Sequence, residues 1–279
     1  MCRLRIWFIA VIIVGVLSQQ SHLSADQKEE ESLRSISGKY QDTVLTVKYV
    51  LKISSSFGAQ LGIPEEQKGD MSGSVIDPSG LLVVSNSELR GPASFLDMMD
   101  IPPGMEGKLN IDVVPLDFKV VMPNGTEVPA KLIAQDSDLD LAFLRLDSKE
   151  KIELKAIPLA KGVSPTIGEI VVALGRLSEN LNREPLAYHA QVISLVNKPR
   201  KMFMVAGLGN MGCPVFNLDG KALGIILMRP TSVKRNPMMF MNASADPLEL
   251  MPMVLPAEEI LDAVSKLPPA SPAEEKPAE

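Results

Sequence analysis

The sequence predicts an all-β protein folded as two barrels, with a helix near its carboxyl end. Three observations carry that expectation. Short runs of β-branched and aliphatic residues alternate with turn-forming clusters, and they fall into two series along the chain. Only one segment, residues 257–267, keeps a convincing helical apolar period. The chain of 279 residues is long enough to bury a large core, and with two cysteines in all it must rely on that core rather than on disulfides.

Taken in order, the chain opens with Arg3 and Arg5, an unbroken apolar run over residues 6–17, and a polar stretch reaching small residues at Ser24 and Ala25. These are the charged, hydrophobic and cleavage regions of a signal peptide, assigned to residues 1–25. The apolar run is shorter than the roughly 17–25 residues of a membrane-spanning helix, so an amino-terminal membrane anchor is the alternative rather than the first reading. Cleavage removes Cys2 and leaves Cys213 alone. Residues 26–37 are charged and read as a flexible lead or a short helix.

The first strand series covers residues 44–53, 73–76, 81–84, 118–122 and 128–133. Asp77-Pro78-Ser79-Gly80 and Pro123-Asn124-Gly125-Thr126 supply hairpin turns between neighbours. The second covers 169–174, 190–196, 202–205, 214–218 and 222–228, with Asn217-Leu218-Asp219-Gly220 turning between the last two. The domain is placed over residues 38–267, the first barrel at about 38–150 and the second at about 160–267. Residues 268–279, rich in Pro, Ala and Glu, read as a solvated tail. The net charge of -6, without a basic stripe, argues against nucleic acid as a partner.

Several motifs, in order, resemble the protease domain of the HtrA-type (high temperature requirement) trypsin-like serine proteases. Ser72-Gly73-Ser74-Val75-Ile76-Asp77-Pro78-Ser79-Gly80 is similar to the family's opening hairpin. Leu82-Val83-Val84-Ser85-Asn86-Ser87-Glu88-Leu89 resembles the strand ending in Thr-Asn-x-His-Val, with Glu88 where the histidine belongs. Asp138-Leu139-Asp140-Leu141-Ala142 matches the segment of the triad aspartate, with Asp140 unchanged. Gly209-Asn210-Met211-Gly212-Cys213-Pro214 follows Gly-Asn-Ser-Gly-Gly-Pro, with Met211 in place of the serine and Cys213 in place of a glycine. Leu255-Pro256-Ala257 and the helix after it resemble the closing helix.

The resemblance implies two six-stranded β-barrels of the trypsin-like (chymotrypsin) fold with a C-terminal helix. It leaves no sequence for the PDZ domain that often follows, and it marks residues 90–116 as an insertion beside the active-site face.

Acyl transfer needs a hydroxyl nucleophile, a base within reach of its proton and a carboxylate that orients the base. A methionine thioether has no proton to lose. Of the three family triad positions, Glu88, Asp140 and Met211, only Asp140 keeps its role. The main-chain N–H groups of Gly209 and Met211 would still form an oxyanion hole in this fold. Glu88 is expected simply to turn to solvent; its alternative is to lie against Asp140, so that one carboxyl takes a raised pKa or both hold a cation. His189 reads as structural and Cys213 as a small core residue.

The methionines Met228, Met238, Met239, Met241, Met251 and Met253 open a lesser reading as a copper(I) binder, but no companion His or Cys cluster accompanies them, and no metal or cofactor is expected. Asn124-Gly125-Thr126 and Asn242-Ala243-Ser244 are glycosylation sequons in a eukaryotic secretory pathway.

The expectation is therefore a secreted or periplasmic pseudoprotease that binds an extended peptide or protein, with Leu227, Met228 and Arg229 as the edge for an added strand. The alternative is an active serine endopeptidase that recruits Ser72, Ser85 or Ser87.

Overall fold

Two strands shared between two hydrophobic cores hold the molecule together. In the computed structural model, which describes residues 26–55, 64–97, 110–148, 150, 152–198, 200–207, 210–228 and 252–268, β1 (Val44–Ser55), β2 (Glu66–Asp77), β3 (Leu81–Ser85), β4 (Ile111–Val121), β5 (Glu127–Asp136) and β6 (Leu141–Leu146) close a first antiparallel barrel in the order β1-β2-β3-β6-β5-β4. A second barrel follows from β7 (Ile170–Arg176), β8 (Pro185–Val196), β9 (Met202–Ala206), β10 (Pro214–Asn217), β11 (Ala222–Leu227) and β12 (Met253–Pro256), ordered β10-β11-β12-β9-β8-β7. This is the two-barrel fold that the resemblance implies.

Side chains alternate across a strand, so a strand wedged between two cores has no polar face. That is the situation of β3 and β6, which pair from Leu81↔Arg145 to Ser85↔Leu141. Leu82, Val84, Ala142 and Leu144 pack into the first barrel's core. Leu81, Val83, Leu141 and Phe143 join the core of the second. The seam between the barrels thus ends at Ser85 on one strand and at Asp140, just before Leu141, on the other.

The expected turns form as the residues require. Gly80 (φ 93°) closes the β2–β3 hairpin by donating to the Asp77 carbonyl at 3.1 Å. β2 runs longer than its apolar stretch suggested, because Glu66 to Asp70 pair with β1 while carrying polar side chains. β6 and β12 lack alternation or length and were not among the runs read from pattern.

Residues 26–40 form a helix, α1, rather than a flexible lead. Ile36 is buried in the second barrel's core, Leu33 packs beside it, and Tyr40 stacks on Phe216 with ring centroids 4.9 Å apart. A few apolar residues on one face of a charged helix suffice to dock it, which explains why charge dominated the reading.

After β3 come two short helices, α2 (Asn86–Arg90) and α3 (Pro92–Asp97). Part of the expected insertion is strand, since Ile111 to Pro115 of β4 pair with β1; Met98, Met99 and Met105 lie outside the described residues. α4 (Ala257–Val264) packs Ala257, Ile260 and Ala263 against the second barrel. No described helix is long and apolar enough to cross a membrane.

Candidate active-site cleft

Asp140 sits at the end of the turn joining β5 to β6. Asp136 shapes that turn by accepting from the main-chain N–H groups of Asp138 and Leu139, each at 3.0 Å. Asp140 takes a left-handed conformation (φ 57°), which aspartate tolerates better than most residues, and it is 2% exposed. Four donors converge on it. Oδ1 accepts from the Ser87 N–H (2.6 Å) and hydroxyl (2.7 Å), and Oδ2 from the Ser85 hydroxyl (2.7 Å) and the Met228 N–H (2.8 Å). Burial pushes the Asp140 carboxyl above its ordinary value, while the bonds from Ser87 and Ser85 pull the other way and favour the charged form.

Glu88 projects from α2, immediately after β3. It does not turn to solvent as expected. Its Oε2 is shut off from water and has no hydrogen-bond partner among the described residues. Burial, reinforced by the charge of Asp140, pushes the Glu88 pKa up to about 8. The two family positions are therefore two interacting carboxyls, one bonded at every lone pair and one at none through Oε2.

Met211 lies in the loop entering β10, its Sδ 3.8 Å from the Ser85 hydroxyl. That loop is tied on both sides. The Gly212 N–H donates to Ile226 O at 2.7 Å, and its carbonyl accepts from the Ser74 hydroxyl, also at 2.7 Å. Gly212 is required here: at φ 78° it runs so close to β2 that a Cβ would overlap the Ser72 carbonyl oxygen. Cys213 is buried in the second core, and burial pushes its thiol up to about 12, so the core-residue expectation describes its surroundings. Gly209 is outside the described residues, so of the oxyanion-hole pair only Met211 can be placed.

Of the expected peptide edge, Leu227 is fully buried and paired with Met253. Met228 has its N–H on Asp140, and Arg229 is outside the described residues. His189 lies on β8, with Nε2 3.0 Å from the Glu29 carbonyl of α1, and so serves to hold that helix. Of the other methionines, Met253 is buried, whereas Met238, Met239, Met241 and Met251 lie outside the described residues.

Glu88, Met211, Met228, Asn210, Arg176 and Pro252 are among the residues that line a cleft of about 350 Å³ between the barrels. Arg176 crosses from β7 and gives its N–H groups to the carbonyls of Val44 (2.8 Å), Gln41 (3.2 Å) and Arg183 (3.5 Å). A second crossing pairs Arg183 with Asp70 of β2 at 2.7 Å. Arg176 carries no sequence signal as a site residue, and Ser85 and Ser87, expected only as alternative nucleophiles, are instead donors to Asp140. The two serines lay within the motif around Glu88, but only the fold aims their hydroxyls at Asp140.

The model of the trypsin-like peptidase domain family matches residues 71–225, more than half of the chain. The chain is similar to the "Probable periplasmic serine endoprotease DegP-like" of Rhizobium meliloti (strain 1021), 32% identical over 123 residues that make up 39% of this chain and 22% of that protein. It is 30% identical over 190 residues to the serine protease Do-like HtrA of Bacillus subtilis (strain 168), covering 57% of this chain and 41% of that protein. It is also 29% identical over 131 residues to the mitochondrial serine protease HTRA2 of Bos taurus, covering 41% and 26%. The chain thus spans well under half the length of these relatives.

Proposed function

Because the chain belongs to the trypsin-like peptidase domain family and is of the HtrA type, we propose that it is an exported pseudoprotease, keeping the two-barrel frame to bind extended peptide or protein segments without hydrolysing them. The observation that carries this reading is the pairing at the centre of the cleft. A thioether, Met211 Sδ, occupies the position that the family gives to the nucleophile, and the hydroxyl in contact with it, Ser85, is fully buried with its proton on Asp140. A hydroxyl that donates to a buried carboxylate and cannot meet substrate is not a nucleophile. Ser87 is engaged with Asp140 in the same way.

Export is supported by the signal-like pattern of residues 1–25 and by the word periplasmic in the name of the Rhizobium relative. Binding is supported by the cleft itself, which keeps a mouth between the barrels beside Met211 and Met228.

The test is covalent labelling of the purified chain with a fluorophosphonate, run beside casein digestion. Absence of both labelling and digestion is expected. Labelling that disappears on one Ser→Ala change, at Ser72, Ser85 or Ser87, identifies a recruited nucleophile and overturns the reading in favour of an active endopeptidase.

A further inference from the structure

Among the described residues, one acid of the cleft has no counter-ion. Glu88 lines the cleft, with Oε2 enclosed and unpartnered, and the neighbouring Asp140 is satisfied only by neutral donors, two hydroxyls and two main-chain N–H groups. Among the described residues, the groups that share a field with Glu88 are Asp140 from the β5–β6 turn, Tyr49 from β1 and Cys213 from the loop before β10. None of these is a cation. Of the charged residues elsewhere on the cleft wall, Asp70 is neutralised by Arg183, and Arg176 is bonded to main-chain carbonyls. The apolar part of the lining includes the unbranched side chains of Met71, Met211 and Met228, and its other polar groups, among them Ser72 and Asn210, are neutral.

We propose that this cleft binds a primary alkylammonium, a lysine-like side chain whose ammonium meets the Glu88 carboxyl while its methylene stem lies along Met211 and Met228. The thioether side chains adapt to such a stem. A guanidinium pairs best with both oxygens of one carboxylate, whereas Glu88 presents the single enclosed, unpartnered oxygen Oε2, which suits the point charge of a compact ammonium better. A metal ion is the poorer fit, since no group of three His, Cys, Asp or Glu side chains able to hold one exists among the described residues. The inference rests on the reading of the chain as a non-hydrolytic peptide binder and names the side chain that this binder selects.

Binding ionises Glu88, so it releases a proton and strengthens with pH. With the Glu88 pKa at about 8 and lysine charged throughout, affinity should fall about eightyfold from pH 8.5 to pH 6.

The experiment is calorimetric titration of the full chain at pH 7, in two buffers of different ionisation enthalpy, with Ac-Ala-Ala-Lys-Ala-Ala-NH2, its norleucine counterpart and n-butylamine. The lysine peptide is expected to bind at least tenfold more tightly than the norleucine peptide, with proton release, and the Glu88→Gln variant to lose both the preference and the release. Thermal unfolding checks that this variant is folded. Equal binding of the two peptides, a lysine preference that survives Glu88→Gln, or no binding at all overturns the inference. Equal binding leaves peptide recognition standing. n-Butylamine binding as tightly as the lysine peptide keeps the ammonium site but overturns the peptide as its source, and cleavage of the peptide overturns the non-hydrolytic reading.

Discussion

The main-chain N–H of Met228, on the second barrel, donates to Oδ2 of Asp140, on the first, at 2.8 Å. Asp140 is thereby a junction between the barrels as well as the residue at the position of the triad aspartate in the motif. Its remaining acceptor positions are filled by Ser85 and Ser87, and this occupancy governs what substitution in the cleft can achieve.

Restoring the family side chains should not restore the enzyme. In Glu88→His/Met211→Ser, the imidazole needs an Asp140 lone pair for its Nδ1–H, and all four are taken. A histidine not oriented by its carboxylate loses on the order of 10⁴ in rate. Casein hydrolysis by the double variant is expected at background, and addition of Ser87→Ala, which frees one lone pair, is expected to raise it. Full activity in the double variant contradicts the occupancy argument.

Glu88 makes stability fall with rising pH. Its pKa is raised from 4.5 to about 8 on folding, so the folded state holds a proton that the unfolded state gives up between those values. Any advantage is complete below pH 4.5 and is lost progressively up to pH 8, at no more than about 1.4 kcal/mol per pH unit. Glu88→Gln removes this dependence. In urea unfolding, the variant should gain on the wild type by a few kcal/mol between pH 5 and pH 8. Parallel pH profiles would show that Glu88 ionises freely.

Gly212→Ala should be among the most damaging single changes. It combines a left-handed backbone with an overlap on the Ser72 carbonyl, and a loss of about 3 kcal/mol or more is expected. Ser74→Ala, which only removes the hydrogen bond to Gly212 O, should cost about 1–3 kcal/mol. Denaturant midpoints rank the two, and the reverse order would show that the loop relaxes away from β2.

Cys213 should be inert while the protein is folded. With the thiol buried and pushed up to about 12, roughly one molecule in ten thousand carries a thiolate at pH 8. Iodoacetamide should leave the native chain unmodified for hours and alkylate it fully in guanidinium. Rapid native labelling would expose a reactive thiol.

What the sequence made legible was local. The Asp-Pro-Ser-Gly turn at Asp77, the apolar runs that became β3 and β7, and the motif positions of Glu88, Asp140 and Met211 each lie within a few residues of their own signal. What it hid was whatever depends on one barrel approaching the other. Glu88 reads as an acid that turns to solvent, and only the fold encloses its Oε2 in the field of Asp140. The serines read as strand-end hydroxyls until the β5–β6 turn brings Asp140 to them, and nothing in Leu227-Met228 announces a main-chain donor for a carboxylate 88 positions away. Helix α1 was underestimated for the same reason, since its partner Phe216 belongs to β10.

The docking of α1 also sets an order of events during synthesis. The helix precedes both barrels in the chain, yet the surface that covers Ile36 and Tyr40 comes from the second barrel and the β10–β11 turn. The first barrel can close while this amphipathic segment is still unattached, and the helix locks down only when the final strands arrive. Such sequence-distant contacts are slow to form. A chain cut short before β10 is therefore expected to leave Ile36 and Tyr40 without the surface that covers them.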